Sequence, residues 1–535
     1  MDYPSEGLAM CTDRSRLYAD PEGVFLHDAV LRACNQHAQR AALVDTSIEP
    51  PLRLTYAEYG ERVEAVAKGL VASGVKQGEV IAIYLANGWE FAVTYHAATL
   101  AGAIPTLLNP SYREREVRFQ LEDSGAAILV TDGPLIAALN LGGLPALRKV
   151  YCIRQTVPGS IPFGQLLSAT SALLSGPTAD ANATLAALPY SSGTTGLPKG
   201  VMLSHSNLVT NAYQRIPPGE RLALDQDDVT LCFLPLYHIY GLNVILNPTL
   251  MTGGSVVLMP RFDMEKACSL LTSESVTFLP MVPPVVNALC HAAEQGLFPA
   301  NHRVRYGKSG AAPLAPDLPR RFERLTGIQT VQGYGMTEAS PVTHMGFLEP
   351  ALYRPDSIGR AVAKTECRIV DEADNDVPPG EPGELLMRGP QFMSGYWKNP
   401  EATADVLKEG WYRSGDVATR DNDGFYQIVD RRKELIKYKG FPIAPAEVEA
   451  VLLEHASVRD CGVIGKTDDA AGEIPVAFVV LRDNVAQDTA LMTELCGFVA
   501  ERLTSYKQPR EVRFVSAIPR NPSGKILRKD LRTQI

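Results

Sequence analysis

The chain has 535 residues, 45% of them hydrophobic and 21% charged, and a formal net charge of -9, with an isoelectric point near 5.6. That length suits one large and one small domain with substantial cores, and the acidic balance speaks against nucleic acid as a partner. The 9 cysteines are odd in number and contain no C-x-x-C pair, so neither a disulfide framework nor a zinc site is expected, and a reducing, cytoplasmic setting fits best.

The opening residues carry Asp2 and Glu6 and lack the basic-then-apolar order of a secretory signal. Over 56–73, Tyr59, Val63, Val66, Leu70 and Val71 share one helical stripe that stops at Gly74. Residues 80–85, 127–131 and 255–259 read as short buried strands between breakers. Between Asp228 and Arg261 no side chain is charged apart from the possible charge of His238. Pro235, Gly241, Asn243, Asn247, Pro248, Gly253 and Gly254 interrupt that stretch, which predicts strands and a pocket wall rather than a stable membrane insertion. Alternating strands and helices imply α/β layers with largely parallel sheets. Charge then concentrates at 430–434, and a compact unit with a helix over 445–455 follows. The expected boundaries are 1–430, a hinge at 431–433, and 434–535. The end, Thr533-Gln534-Ile535, is not the Ser-Lys-Leu address.

The most informative segment is YSSGTTGLPKG at 190–200. Gly193, Gly196 and Gly200 free the backbone to aim N–H groups at an anion. Ser191, Ser192, Thr194 and Thr195 add side-chain donors, and Lys199 adds a positive charge. By itself the run is equally a solvated Gly/Ser loop. It is not a Walker loop, and neither candidate elsewhere qualifies: Gly307-Lys308-Ser309 has His302 where the leading glycine belongs, and Gly524-Lys525 is followed by Ile526.

Five segments in order decide the reading: 190–200, Gln332 to Glu338 (QGYGMTE), 411–416 (WYRSGD), 430–434 (DRRKE) and 522–525 (PSGK). Together they resemble the acyl-adenylate-forming enzymes over nearly the whole chain. The 4-coumarate:CoA ligase-like branch is closest in texture, through LPLYHIYGLN at 234–243, SGAAP at 309–313 and KYKGF at 437–441. The resemblance implies a large N-terminal domain of layered α/β subdomains with a β-barrel-like part, and a small mobile α+β C-terminal domain. It also implies ATP, Mg²⁺ and CoA as reactants, and a small carboxylic acid as substrate.

The chemistry accounts for such residues. A carboxylate resists a thiol because its carbonyl is electron-rich and its leaving group would be an oxide. Attack on the α-phosphorus of ATP gives a mixed anhydride that thiols open readily, so the protein must chiefly position groups and stabilise negative charge. By resemblance, Ser191, Ser192, Gly193, Thr194, Thr195, Gly196 and Lys199 hold phosphates. Gly310, Ala311, Ala312, Gln332, Gly333, Tyr334 and Gly335 surround adenine, Thr337 reaches the α-phosphate and Glu338 holds Mg²⁺. Asp416 takes the ribose hydroxyls, Arg431 reaches the nucleotide and Lys525 bridges carboxylate and α-phosphate. Lys433 marks the hinge about which the small domain rotates, presenting Lys437, Lys439 and Gly440 to pantetheine.

His238, Tyr240, Lys308 and Val342 are expected at the acyl pocket. Lys308 either meets a ring hydroxyl or extends its ammonium to solvent. No acid occurs from Val229 to Pro260, so an α-amino acid would bury an uncompensated cation and a neutral acyl tail, aromatic or medium-chain, is favoured. Val244 and Pro442 depart from the branch's small polar residue and glutamine. Three alternatives stay open: transfer to a carrier-protein thiol, luciferase-like oxidation, and a nucleotide-binding scaffold without turnover.

Overall fold

The computed structural model describes residues 23–535 except 138, 170, 173–179, 192–197, 215–221, 313, 316, 432–433, 439–440, 469–470 and 522–523. Its centre is a nine-stranded sheet. Ala41–Asp45, Ser255–Leu258, Val229–Cys232, Phe278–Met281, Tyr306–Ser309 and Thr330–Gly335 lie side by side and parallel. Antiparallel strands close both edges: Leu52–Thr55 at one, Val342–Met345 and Arg360–Ala361 at the other. A second, wholly parallel sheet of five strands includes Val80–Tyr84 and Ile128–Asp132. A third sheet is antiparallel and carries Trp411–Arg420 beside Tyr426–Arg431.

Local chemistry sets these boundaries. The helix read at 56–73 is Tyr56–Ala72, opened by a capping box in which Thr55 Oγ1 accepts from Glu58 N–H and Glu58 returns a bond to Thr55 N–H. Such a cap is worth about 1 kcal/mol. Tyr59, Val63, Val66 and Leu70 are buried, while Val71 is only half-buried at the edge of the stripe. The uncharged stretch forms strand Val229–Cys232, a π-helical turn Gly241–Leu246, helix Asn247–Met251 and strand Ser255–Leu258. Among the described residues no helix is long and apolar enough to cross a membrane.

The C-terminal part has cores of its own. Ile436, Val448, Leu452, Val463, Val479, Leu495 and Val499 pack in one cluster, while Ile464, Phe478, Ile518 and Leu531 form another on the opposite face of its sheet. Its helix is Pro445–Leu453, two residues shorter than the predicted span.

Three buried histidines couple this packing to pH. Burial lowers the imidazole pKa from 6.5 to about 4 at His96, and to about 3 at His205 and His344. His96 accepts from Tyr59 O–H (2.7 Å) and faces Asn247 Oδ1 (3.1 Å). The unfolded chain therefore binds protons that the folded one refuses, so stability is full above the unfolded pKa and is lost as pH falls. Each histidine should cost about 1.4 kcal/mol per pH unit below its unfolded pKa until its folded pKa is reached. The thermal midpoint should accordingly fall between about pH 7.5 and about pH 5, and His96→Gln should flatten that slope; an unchanged slope would contradict the assignment.

Candidate active site

Two of the predicted segments, 309–312 and 332–338, lie at the carboxyl ends of the central parallel strands Tyr306–Ser309 and Thr330–Gly335, where open α/β sheets place ligand sites. Strand Tyr306–Ser309 runs into Gly310 and Ala311, and Ala311 takes a left-handed φ of 70°, a strained setting for a residue with a Cβ. A Cβ on Gly310 would sit 3.1 Å from the Tyr240 ring, so the small residue lets this strand end and the tyrosine approach closely. Tyr240 O–H lies within bonding distance of the carbonyls of Met281 (3.2 Å) and Lys308 (3.1 Å), tying two strands together. Lys308 is only 2% exposed and runs against the neighbouring strand, where a Cβ on Gly333 would fall 2.7 Å from its Cε. The solvent-directed alternative for Lys308 is thereby removed.

Strand Thr330–Gly335 leads into a 3₁₀ turn at Thr337–Ala339 and back along Val342–Met345. Only glycine fits at 335, since a Cβ would lie 1.9 Å from the Pro341 carbonyl oxygen. Gln332 directs its amide at Pro355 O (2.8 Å). Two buried asparagines hold the turn: Asn243 Nδ2 donates to Ser340 O (2.6 Å), and Asn211 exchanges bonds with Val342 N and O (3.0 and 2.7 Å).

Glu338 is 8% exposed, and its Oε1 accepts from both Ser191 Oγ (3.0 Å) and Tyr396 O–H (2.9 Å). Lys199 pairs with Ser191 across the two strands that flank 192–197, and its Nζ lies 5.0 Å from the Tyr396 ring centre. Tyr190, next to Ser191, donates to Asp123 Oδ2 (2.5 Å). Burial and then the Glu338 charge raise the phenol pKa of Tyr396 and of Tyr412. No group of three or more His, Cys, Asp or Glu side chains among the described residues could cage a metal. A single buried carboxylate offering oxygen donors beside a phosphate-type loop nevertheless fits Mg²⁺, which takes much of its coordination from substrate phosphates and water.

On the other flank Tyr334 O–H bonds Asp416 Oδ2, and Asp416 faces Arg431 across an antiparallel pair. Ser192, Gly193, Thr194, Thr195, Gly196, Lys433, Lys439 and Gly440 lie outside the described residues, as does the Arg431 side chain. Lys437 is exposed on the C-terminal sheet.

Gly524 and Lys525 of the C-terminal part approach this region at Pro284. Lys525 N–H donates to Asn521 Oδ1 (2.8 Å), and Arg520 holds both Gly524 O (2.8 Å) and Asp460 (2.7 Å). Gly524, at φ +83°, faces Pro284 so closely that an added Cβ would lie 3.4 Å from the proline ring. Across this contact the Lys525 charge, after burial, helps lower the His238 imidazole to about 4, leaving it neutral; its Nδ1 accepts from Tyr240 N–H (3.2 Å). Sequence reasoning missed Tyr396, Asn211 and Asn243 as contributors. The first carried a faint signal in Gly395-Tyr396-Trp397; Asn243 was read only as a breaker of the uncharged stretch, and Asn211 looked like an ordinary helix residue.

Residues 30–397 match the AMP-binding enzyme family and residues 447–525 the AMP-binding enzyme C-terminal domain, and the chain belongs to that family. It is 40% identical over 534 residues to 4-coumarate–CoA ligase 5 of Oryza sativa subsp. japonica, covering 98% of this chain and 97% of the relative. Among solved structures it resembles an anthranilate CoA ligase in complex with anthranoyl-AMP, with a TM-score of 0.86 at 26% identity over 96% of this chain and 98% of that one. It also resembles the O-succinylbenzoate CoA synthetase of Bacillus subtilis in complex with ATP and magnesium, with a TM-score of 0.80 at 29% identity over 94% and 99%. Within the family the chain is an AMP-forming acid:CoA ligase, with ATP, CoA and a carboxylic acid as substrates and Mg²⁺ as cofactor.

Proposed function

We propose that the acid is aromatic, of hydroxycinnamate or benzoate type, and that both half-reactions run at this one site. A carboxylate oxygen attacks the α-phosphorus, the bond to the β-phosphate oxygen breaks, and pyrophosphate leaves. The CoA thiol then loses its proton as sulfur adds to the activated carbonyl, and AMP departs. The loop at 191–199 holds the β- and γ-phosphates and Thr337 the α-phosphate. Gly310 to Ala312 and Gln332 to Gly335 frame adenine, while Asp416 and Arg431 hold the ribose side. Glu338 would hold Mg²⁺, which would supply neutralising charge beside the phosphates. Lys525 bridges the attacking carboxylate and the α-phosphate, and Tyr240, Lys308, Val342 and neutral His238 line the acyl pocket. Rotation about 431–433 then withdraws Lys525 and brings 437–440 to the pantetheine arm.

The observation that supports this reading is Gly524 of the Lys525 loop facing Pro284, with the Lys525 charge felt at His238 in a segment, 229–260, that contains no acid. The names of relatives agree, since 4-coumarate and anthranilate are both aromatic acids. A panel of carboxylic acids read by AMP release should respond to hydroxycinnamates or benzoates, with turnover dependent on free CoA. A response confined to α-amino acids would overturn the pocket argument, and acyl-AMP consumed only by a carrier-protein thiol would overturn CoA as acceptor.

A further inference from the structure

The cluster around Glu338 contains a residue that none of the motif roles uses. Tyr396 lies in the two-residue strand Gly395–Tyr396, which pairs with Val201 and Met202 just beyond the phosphate-type loop. Its hydroxyl is 2.9 Å from Glu338 Oε1, the oxygen that Ser191 Oγ also reaches at 3.0 Å. Its ring stands 5.0 Å from Lys199 Nζ, within the range of a cation–π contact. One buried side chain, 7% exposed, thus touches the carboxylate assigned to the metal and the lysine that closes the loop. Its backbone is held by further bonds, since Tyr396 N–H donates to Thr403 Oγ1 (2.9 Å) and Trp397 N–H to Gly200 O (2.8 Å), the latter in the strand that begins at Lys199.

We propose that Tyr396 is a positioning residue that sets the Glu338 carboxylate for Mg²⁺ while keeping Lys199 at the mouth of the same loop. The proposal rests on the reading of Glu338 as the metal carboxylate. A carboxylate with one oxygen anchored by two hydroxyls has its rotation about the terminal bond restricted, so its other oxygen is aimed rather than free to swing. Partners of this kind behind a metal ligand typically change metal affinity about 10-fold or more when removed. The ring, in turn, favours the ammonium over the tyrosine face, so one aromatic group holds the cation at its face and the carboxylate at its hydroxyl edge. Tyr396 touches neither phosphate nor acid in this arrangement and acts through Glu338 and Lys199.

The test follows binding of the fluorescent nucleotides mant-ATP and mant-AMP to the full chain, without acid or CoA, while Mg²⁺ is titrated. Tyr396→Phe keeps the ring and removes only the hydroxyl. It should raise the Mg²⁺ concentration for half-maximal mant-ATP binding about 10-fold, with mant-AMP affinity and thermal midpoint unchanged. Tyr396→Leu should add a loss of mant-ATP affinity at saturating Mg²⁺, through Lys199. Glu338→Gln should shift the Mg²⁺ titration further, and adding Tyr396→Phe to it should change nothing more, as expected of a residue that works through the carboxylate. If Glu338→Gln shifts the titration and Tyr396→Phe does not, the proposal is overturned while the Glu338 reading stands. If neither variant shifts it, the Glu338 reading itself fails. Equal weakening of mant-AMP and mant-ATP by Tyr396→Phe would mean a packing role only and would also overturn the proposal.

Discussion

Lys525→Ala is expected to slow acyl-AMP formation about 100-fold or more, equivalent to about 3 kcal/mol of transition-state stabilisation, and to leave thioester formation from preformed acyl-AMP nearly intact. The asymmetry follows from where the residue sits. Its loop is braced by Asn521 and Arg520 from within the C-terminal part, so alanine removes an ammonium without loosening the loop. Its charge already acts on His238 across the contact with Pro284, and on the proposed reading the ammonium is shared there by carboxylate and α-phosphate oxygens. Thiol attack needs no cation at that place, and a lysine there would obstruct the approach of pantetheine. Single-turnover pyrophosphate release would measure the first step, and CoA consumption of a synthetic acyl-AMP the second. Equal slowing of both would contradict the assignment. The same variant should raise the His238 pKa, since one of the two causes holding it down is gone; burial remains and keeps it below the ordinary value of 6.5.

Much of this site was legible in the sequence because its constraints are local. Glycines at 310 and 335 are read in a line of text and are explained by what a Cβ would strike. The helix at 56 announced itself through its apolar stripe and the stop at Gly74, and the strands through their breakers; the Thr55–Glu58 cap emerged only in the structure. What stayed hidden depends on residues far apart in the chain. Tyr396 meets Glu338 across 58 positions, and Asn211 meets Val342 across 131. Neither pair leaves a periodic or spaced trace, since a tyrosine in a short strand and an asparagine in a helix look like many others. The Tyr334–Asp416 bond shows the same limit in another form. Both residues belong to recognised motifs, yet separate motifs give no hint that one orients the other. Lys308 was ambiguous because a lysine stem can snorkel, and only the packing against Gly333 decides its direction.

Arg528→Met is expected to cost about 3–5 kcal/mol, because it strips a buried carboxylate of its counter-charge. Glu449 and Arg528 meet at 2.7 Å with side chains 11% and 12% exposed. The same Glu449 oxygen accepts from Val463 N–H (2.8 Å), and Arg528 Nε donates to Val463 O (3.1 Å). Burial already holds the Glu449 pKa above its ordinary 4.5 despite the pull of Arg528; without the arginine it rises further. A carboxyl with a raised folded pKa is stabilising below the unfolded value, and that contribution is lost as pH rises toward the folded one. The variant should therefore recover part of its stability in acid, against the trend set by the buried histidines. Adding Glu449→Gln keeps an acceptor for Val463 N–H and removes the buried charge, so the double variant should regain more than half of the loss. Urea unfolding of the whole chain, with hydrogen exchange followed in helix Pro445–Leu453, would measure both effects. The consequence reaches the chemistry, because Lys525 lies three positions before Arg528 and Asp430 Oδ2 accepts from Ala446 N–H (3.0 Å) at the start of that same helix. An unpaired Glu449 weakens the frame that presents Lys525, so the single variant should lose acyl-AMP formation before it loses the overall fold, and the double variant should regain both together.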